Sequence, residues 1–460
     1  MSTASAPLSI PQAWNAGALS IYQRLLPASF WKHLCRSNAL RQNNRVYTFG
    51  VVIWLMISQW LHGHATLDSA VSELTRGLPL TFWPRPCKRL RDWLDSKKPL
   101  SGHTAAYNIA RHQLPYLVVK ACCASIFEQL TSEIRSYWEP LGMPAYLVDG
   151  TSVELPSTEE LRCLYPPACN QHGEAHWPLL RMLVAHDLQT GLALCPHWGA
   201  MYGKEAVSEQ QLFETAIDQF PAKSLIVGDC NFGVSSIAHA ADQRGHMIVL
   251  RLTGPRATHL LGGPLRDGID QRITWTPSAF ERRAHPELPK DASVCGRVVV
   301  SMVQPSDGAQ PFLLALFTTW NGTREQFLGI YGRRWQIETD LRTLKGTLQL
   351  EQLRCITPEM IGKELLLAMA AYNLVRAVIY HAAQTSGLPP RSFSFSRVYH
   401  LVQVYAPAIA AARTPEERHK LSERLMHYAR QATLPKRTRK RPTYPREVWP
   451  KPQAFPPRRA

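Results

Sequence analysis

The sequence predicts an α/β fold, and three observations carry that expectation. The middle of the chain alternates short apolar runs with helical stretches, in the order strand, strand, strand, helix, strand, helix, strand. Both ends carry apolar residues at mixed spacings of three and four, the period of buried helix faces. Charge divides the chain the same way: residues 1–140 hold 15 Lys/Arg against 7 Asp/Glu, residues 435–460 hold 9 against 1, and residues 141–434 hold 28 against 27. Basic ends around a neutral centre suit a polyanionic partner gripped by flanking parts; a solubility tail is the plainer alternative.

In order, helical segments are expected at 18–42, 47–61, 66–76, 85–95 and 103–136, broken at Gly77-Leu-Pro79 and Trp83-Pro-Arg-Pro86. Arg85, Lys88, Arg89 and Arg91 cluster around Trp93, either a phosphate-contacting surface or a solvated face. Ala145–Asp149 reads as a strand ending in an acid, and 155–178 as a loop. Leu179–Asp187 and Gly191–His197 read as two strands joined by the turn Leu188-Gln-Thr-Gly191. A helix over 208–219 starts from Ser208 as its cap. Ser224–Asp229 is a second strand ending in an acid, followed by a helix over 234–243 and a strand over 246–252. A Gly- and Pro-rich stretch has strands at 272–275 and 296–304. Then come a strand over 313–320, one long helix over 323–350, an apolar helix over 365–383 and helical sequence over 391–431. The last residues, PKRTRKRPTYPREVWPKP, form a basic Pro-rich tail. The expected domains are a helical, net-positive region at 1–140 suited to DNA binding, an α/β domain at 141–390 that includes the Gly- and Pro-rich stretch with its strands at 253–312, helices at 391–434 and the tail at 435–460.

Hydrophobic residues make up 45% of the 460 and charged residues 19%, as in soluble globular proteins. The ten cysteines include no CxxC pair and several stand in apolar runs, which fits reduced thiols in a cytosolic protein. The start, MSTASAPLSIPQAW, lacks the basic and apolar regions of a secretory leader, and Val46–Leu67 contains Ser58, Gln59, His62 and His64, so no membrane partner is expected. Cys163, Cys169, His172 and His176 have a spacing unlike paired zinc half-sites. Neither a Gly-rich phosphate loop nor a nucleophile elbow is present, which argues against ATP-driven, nicotinamide and serine-hydrolase chemistry.

The chemistry centres on residues 323–350. With Tyr331 at zero on an α-helix, Arg334 falls about 60° to one side and Glu338 and Lys345 within about 40° on that side. One narrow face then carries a phenol, two cations and a carboxylate, either solvated or facing partners. Asp149 and Asp229 end strands, where ligands collect in open α/β sheets, although either alone could be a turn residue. Asp187 belongs to a hairpin, and Asp340 points about 200° from Glu338. Three carboxylates gathered together require a cation, and an all-oxygen site suits Mg²⁺ or Mn²⁺. Two such ions can promote in-line phosphoryl transfer, with Arg334 and Lys345 holding phosphates and Tyr331 donating a hydrogen bond or stacking.

Tyr331-x2-Arg334-x3-Glu338-x6-Lys345 matches the signature of the DDE insertion-sequence transposases of the "insertion sequence four" family. Val148-Asp-Gly-Thr151 resembles that family's first-Asp block and Gly228-Asp-Cys-Asn-Phe-Gly233 its second, and Glu338 follows Asp229 by 109 positions, which leaves room for the inserted β region. Cys230 stands where an Arg or Ala is usual. Tyr372-Asn-Leu-Val-Arg376 and Tyr444-Pro-Arg446 are also similar to the family, and the likeness covers roughly residues 140–450. It implies an RNase H-like core and a magnesium site, with Mn²⁺ as a substitute, at Asp149, Asp229 and Glu338. It further implies cutting of terminal inverted repeats, joining to target DNA, and a homodimer in a synaptic complex. A tryptophan of the insertion sometimes holds a flipped base in that family; Trp275 and Trp320 are the candidates, and a place in the core is the alternative for each. A nuclease without strand transfer and a non-catalytic DNA-binding descendant remain the competing functions.

Overall fold

A computed structural model describes residues 17–42, 45–77, 87–94, 99–134, 141–171, 173–305, 310–351, 353–412 and 414–435. The basic tail beyond 435, Tyr444-Pro-Arg446, Arg85 and His172 lie outside them. The chain divides into two units. One takes the residues up to Ile134, Gln189–Ala193 and Arg342–Pro435; the other takes Arg135–Leu188, Leu194–Leu341 and the tail.

The first unit is helical. Its centre is the helix Pro358–Ser386, packed against Phe49–Leu61 and Tyr116–Glu133. It is long and apolar enough to cross a membrane, but its apolar window is wholly buried inside the unit, as in a core helix. It starts two turns before the predicted 365–383 because Lys363 and Glu364, charged yet buried, have partners. Lys363 Nζ pairs with Glu359 at 2.7 Å, and Glu364 accepts from the Cys355 and Arg354 amides and bonds His64 Nε2 at 2.9 Å. Further along, Asn373 takes both the N–H and the C=O of Ala193, at 2.9 and 2.8 Å, and the Tyr372 hydroxyl donates to Gly191 O at 2.9 Å. Those bonds explain why Gly191–His197 is not the predicted strand. Gly191 sits at φ +77°, Ala193 bonds to a side chain rather than a strand, and Pro196 has no N–H to offer a ladder. Only His197–Ala200 is extended.

The second unit is a mixed α/β layer around a nine-stranded sheet, ordered β2-β3-β1-β5-β6-β9-β8-β7 with β4 on β3. The strands are β1 (Ala145–Glu154), β2 (Pro167–Asn170), β3 (Gly173–Asp187), β4 (His197–Ala200), β5 (Leu225–Gly228), β6 (Met247–Arg251), β7 (Asp270–Trp275), β8 (Val294–Val303) and β9 (Phe312–Thr318). β1, β5 and β6 run parallel, and the remaining pairs are antiparallel. β1 runs on past Asp149, where its sequence predicts an end, because β3 continues to pair with it as far as Glu154. The segment predicted as a loop at 155–178 instead contains the helix Glu159–Leu164, β2 and the start of β3. Residues 253–312 contribute two helices and the strands β7 and β8, and β8 extends the same sheet through β9. One face of the sheet is packed with Tyr146, Val148, Ile226, Ile248 and Phe317 against Leu212, Phe213 and Ile237 of the helices Glu209–Ala216 and Ser235–Gln243. Ser208 caps the first of these in a reciprocal box with Gln211, as its sequence predicts.

The long helix predicted over 323–350 is interrupted twice. Arg324–Gly332 ends at a tight turn in which Arg333, Arg334, Gln336 and Ile337 each donate three residues back. Trp335–Arg342 comes next, and then a π turn over Thr343–Thr347. Each change of pitch rotates the residues beyond it, so the single-helix angles relating Tyr331, Glu338 and Lys345 do not hold.

Candidate active site

Strand register brings the two aspartates together. Leu147 of β1 lies opposite Val227 of β5. Two residues on along each chain, Asp149 and Asp229 reach the same level. Alternation turns Asp149 to the face opposite the core that takes Tyr146 and Val148. The Asp149 Oδ1 accepts the Gly150 N–H and the Asp229 Oδ1 the Asn231 N–H, each at 2.9 Å. The loop after Asp229 is tight enough that a Cβ on Gly233 would overlap the Arg251 carbonyl oxygen, so that backbone approach needs glycine. Burial first, and the charge of Asp229 second, push the Asp149 carboxyl up to about 6, against the pull of the Gly150 amide and Arg334.

Arg334 stands at the first helix break. Its Nη2 donates to Glu338 Oε1 at 2.7 Å, and its Nη1 lies 3.8 Å from Asp149 Oδ2. Burial works against its charge, but the Glu338 hydrogen bond and the nearby Tyr331 and Asp149 raise its pKa above the usual arginine value. Tyr331 is buried, and its hydroxyl lies beside the Arg251 guanidinium without a hydrogen bond of standard geometry. Burial raises its pKa, with Asp229 adding to the rise and Arg334 and Arg251 opposing it. The structure thus brings Asp149, Asp229, Tyr331, Arg334 and Glu338 into one neighbourhood. Lys345 belongs to the other unit, in the π turn, where its Nζ pairs with Glu351 at 3.2 Å. Asp340 is fully buried, its Oδ2 lying 3.8 Å from His186 Nδ1, as its angular offset from Glu338 anticipates. Trp275 and Trp320 are also buried, edge-on to Phe317 and Phe327 at 4.8 and 5.6 Å, and serve the core.

Two residues near this site carry no sequence signal of their own. Arg251 ends β6, the third parallel strand, whose Val249 pairs with Val227, so it reaches the level of Asp149 and Asp229. Its guanidinium neighbours Tyr331 and sits 5.9 Å over the Phe312 ring. Glu209, the first residue of its helix, reads as an ordinary first-turn acid, yet its charge is felt at Asp149.

Among the described residues, the group whose possible ligand atoms all lie within 4.8 Å of one another is Glu214, His285 and Glu287, rather than the three acids. Cys163, Cys169 and His176 form no such group. Between Asp149 and Glu338 the guanidinium of Arg334 occupies the place of a cation. The donor set there is all oxygen, and burial first and the Asp229 charge second hold the Asp149 carboxyl above its ordinary range. An all-oxygen donor set is the kind that suits a hard divalent ion, with Arg334 supplying part of that charge in this arrangement.

Residues 140–374 match the family model described as "Transposase DDE domain". The chain is also similar to the transposase InsG for insertion sequence element IS4 of Escherichia coli (strain K12), at 25% identity over 321 residues, 68% of this chain and 70% of that one. Among solved structures it is similar to the piggyBac transposase in a synaptic complex with hairpin DNA. That likeness has 9% identity and a TM-score of 0.43, covering 95% of this chain and 88% of that one. The family match spans more than half of the chain and includes Asp149, Asp229 and Glu338 with the strands and helix that bear them, and on it this chain belongs to the DDE-domain transposases.

Proposed function

We propose that this transposase cuts the terminal inverted repeats of its own DNA element and joins them to target DNA, using an RNase H-like core in which Asp149, Asp229 and Glu338 hold Mg²⁺, or Mn²⁺ in its place. The observation that carries this reading is the convergence itself: parallel register aligns the two aspartates, and Arg334 ties the first of them to Glu338. When bound, divalent ions would supply the charge that activates a water or 3′-hydroxyl and stabilises the leaving oxygen. Arg334, already shared between two carboxylates, is placed to turn its fork toward a phosphate. Tyr331 holds an unused hydroxyl hydrogen for a phosphate oxygen, and Arg251 beside it adds a second cation. Lys345, paired with Glu351 in the helical unit, is a candidate phosphate contact of that unit. The basic residues of 1–140 and of the tail grip the flanking duplex, with two chains in a synaptic complex.

The test is Asp149→Asn in full-length protein. It retains binding to end-sequence duplex and loses Mg²⁺-dependent cleavage. Cleavage at the wild-type rate would remove Asp149 from the site. Strand transfer from pre-cleaved ends separates a transposase from a nuclease that only cuts.

A further inference from the structure

Glu209 opens the helix Glu209–Ala216, but its carboxylate does not serve the helix end. Ser208 and Gln211 already close the cap on each other. The Glu209 Oε2 instead accepts from Asn231 Nδ2 in the loop after β5. Asn231 is the residue whose N–H holds Asp229 Oδ1. The adjacent Gln210 grips the same residue, its Nε2 lying 2.7 Å from Asn231 O. On its other side the Glu209 carboxyl lies flat against Gly150, where a Cβ would overlap its Cδ and Oε1. Gly150 in turn supplies the N–H that holds Asp149 Oδ1. One side chain therefore touches the residues that hold both aspartates.

Strand alternation directs the Gly150 Cβ position to the face opposite Asp149. Glu209 thus meets β1 at Gly150, on the side away from the Asp149 side chain. An acid in the first turn of a helix is often explained by the helix dipole alone. The dipole would be satisfied by many rotamers; this one is committed to Asn231 on one side and pressed on a glycine on the other. Any side chain at position 150 would expel it.

We propose that Glu209 is a positioning residue, which sets the separation of Asp149 and Asp229 by clamping the Asn231 turn to the underside of β1. The proposal rests on the reading of those aspartates as metal-holding groups. Release of the clamp lets Asp229 drift relative to Asp149, and the pocket binds divalent ions more weakly while its DNA-binding surface is unchanged.

The experiment measures Mn²⁺ binding to the full-length protein by calorimetry and by electron paramagnetic resonance, together with the Mg²⁺ concentration needed for half-maximal cleavage. Thermal melting confirms folding of every variant. Glu209→Ala is expected to weaken Mn²⁺ binding by about 10- to 100-fold, the range for loss of a group that orients a metal ligand. Glu209→Gln keeps an acceptor for Asn231 and stays near the wild type. Asn231→Asp opposes two carboxylates and weakens binding; combining it with Glu209→Gln restores a donor–acceptor pair in reverse and recovers binding. Affinity for end DNA measured in Ca²⁺ is the same throughout. Asp149→Ala is the control. If Glu209→Ala binds Mn²⁺ like the wild type while Asp149→Ala does not, the clamp is wrong and the site reading stands. If the paired exchange binds no better than Asn231→Asp alone, the clamp is equally wrong. If Asp149→Ala also binds like the wild type, the site reading fails and takes the clamp with it.

Discussion

Pro358–Ser386 and the segment from Arg324 to Thr347 are both helical, and they are built on opposite terms. The first runs 29 residues without a break, starts on Pro358 and stops at Gly387 with φ +68°. From Met360 to Ala383 every side chain is buried, including Lys363, Glu364, Asn373 and Arg376. Its polar groups are spent on its own unit: Asn373 holds the turn at Ala193 and Arg376 Nε donates to the Tyr372 hydroxyl at 2.8 Å. The second changes pitch twice, and Arg334 and Lys345 stand at the two changes. Its Trp335 is 61% exposed and its Glu338 is partly open to solvent. A continuous helix maximises burial; an interrupted one gives up regular hydrogen bonding to aim side chains. Stability is concentrated in the first; the chemistry proposed above belongs to the second.

That division fails if substitutions in the two helices have the same effects. Glu338→Gln gives the largest expected change: cleavage of end DNA falls by about 10³-fold, the scale of losing one preorganised electrostatic group, with the melting temperature unchanged. Leu367→Ala gives the converse. Leu367 is fully buried, so its truncation costs about 2–5 kcal/mol in urea unfolding, while the folded fraction cleaves normally. A cleavage defect in folded Leu367→Ala protein would show that the core helix does more than support.

A pH series sharpens the contrast. Burial disfavours ionised Glu364, yet hydrogen bonds from His64 and from the Cys355 and Arg354 amides outweigh it and lower its pKa from the ordinary 4.5. A depressed carboxyl contributes stability that is full above the unfolded value and is lost as pH falls through the folded one. Unfolding free energy is therefore expected to drop as acidification below about pH 4.5 protonates this carboxyl. Glu364→Gln, less stable at pH 7, shows a correspondingly smaller drop. An equal drop in both proteins would place the acid sensitivity elsewhere.

The same two helices show how much of the fold is legible in the chain. Alternation and apolar runs locate β1, β3, β5 and β6 and the strands near 272, 296 and 313, because half-buried strands write their period into composition. Asp149 and Asp229 stand out because each closes such a run. Lys363 and Glu364 read as surface, since charge gives no sign of a buried partner distant in sequence, and so the sequence places the start of the core helix too late. The breaks at Arg333–Arg334 and Thr343–Thr347 leave no mark on side-chain type; 3₁₀ and π turns alter hydrogen bonding and phase, not composition. Arg251 and Glu209 reach the site from elements whose own patterns are ordinary. Only the strand order, with β9 inserted antiparallel between β6 and β8, tells where the latter half of the chain joins the sheet.

The smallest expected effect tests whether the interrupted segment depends on its ends. Thr323 caps Arg324–Gly332 by accepting from the Gln326 N–H, and Gln326 Oε1 accepts the Thr323 N–H at 2.8 Å. Short helices lean on caps, because few internal bonds offset the unpaired groups at each end. Thr323→Ala is expected to cost about 0.5–2 kcal/mol in urea unfolding. Fraying there would also loosen Tyr331, near the other end of the same nine-residue helix, so cleavage should fall modestly at saturating DNA. The equivalent change at Thr357, which precedes the core helix without a side-chain cap bond, is expected to leave both stability and cleavage close to the wild type. If Thr357→Ala proves as costly as Thr323→Ala, capping does not distinguish the two helices, and the interrupted one is held by its packing instead.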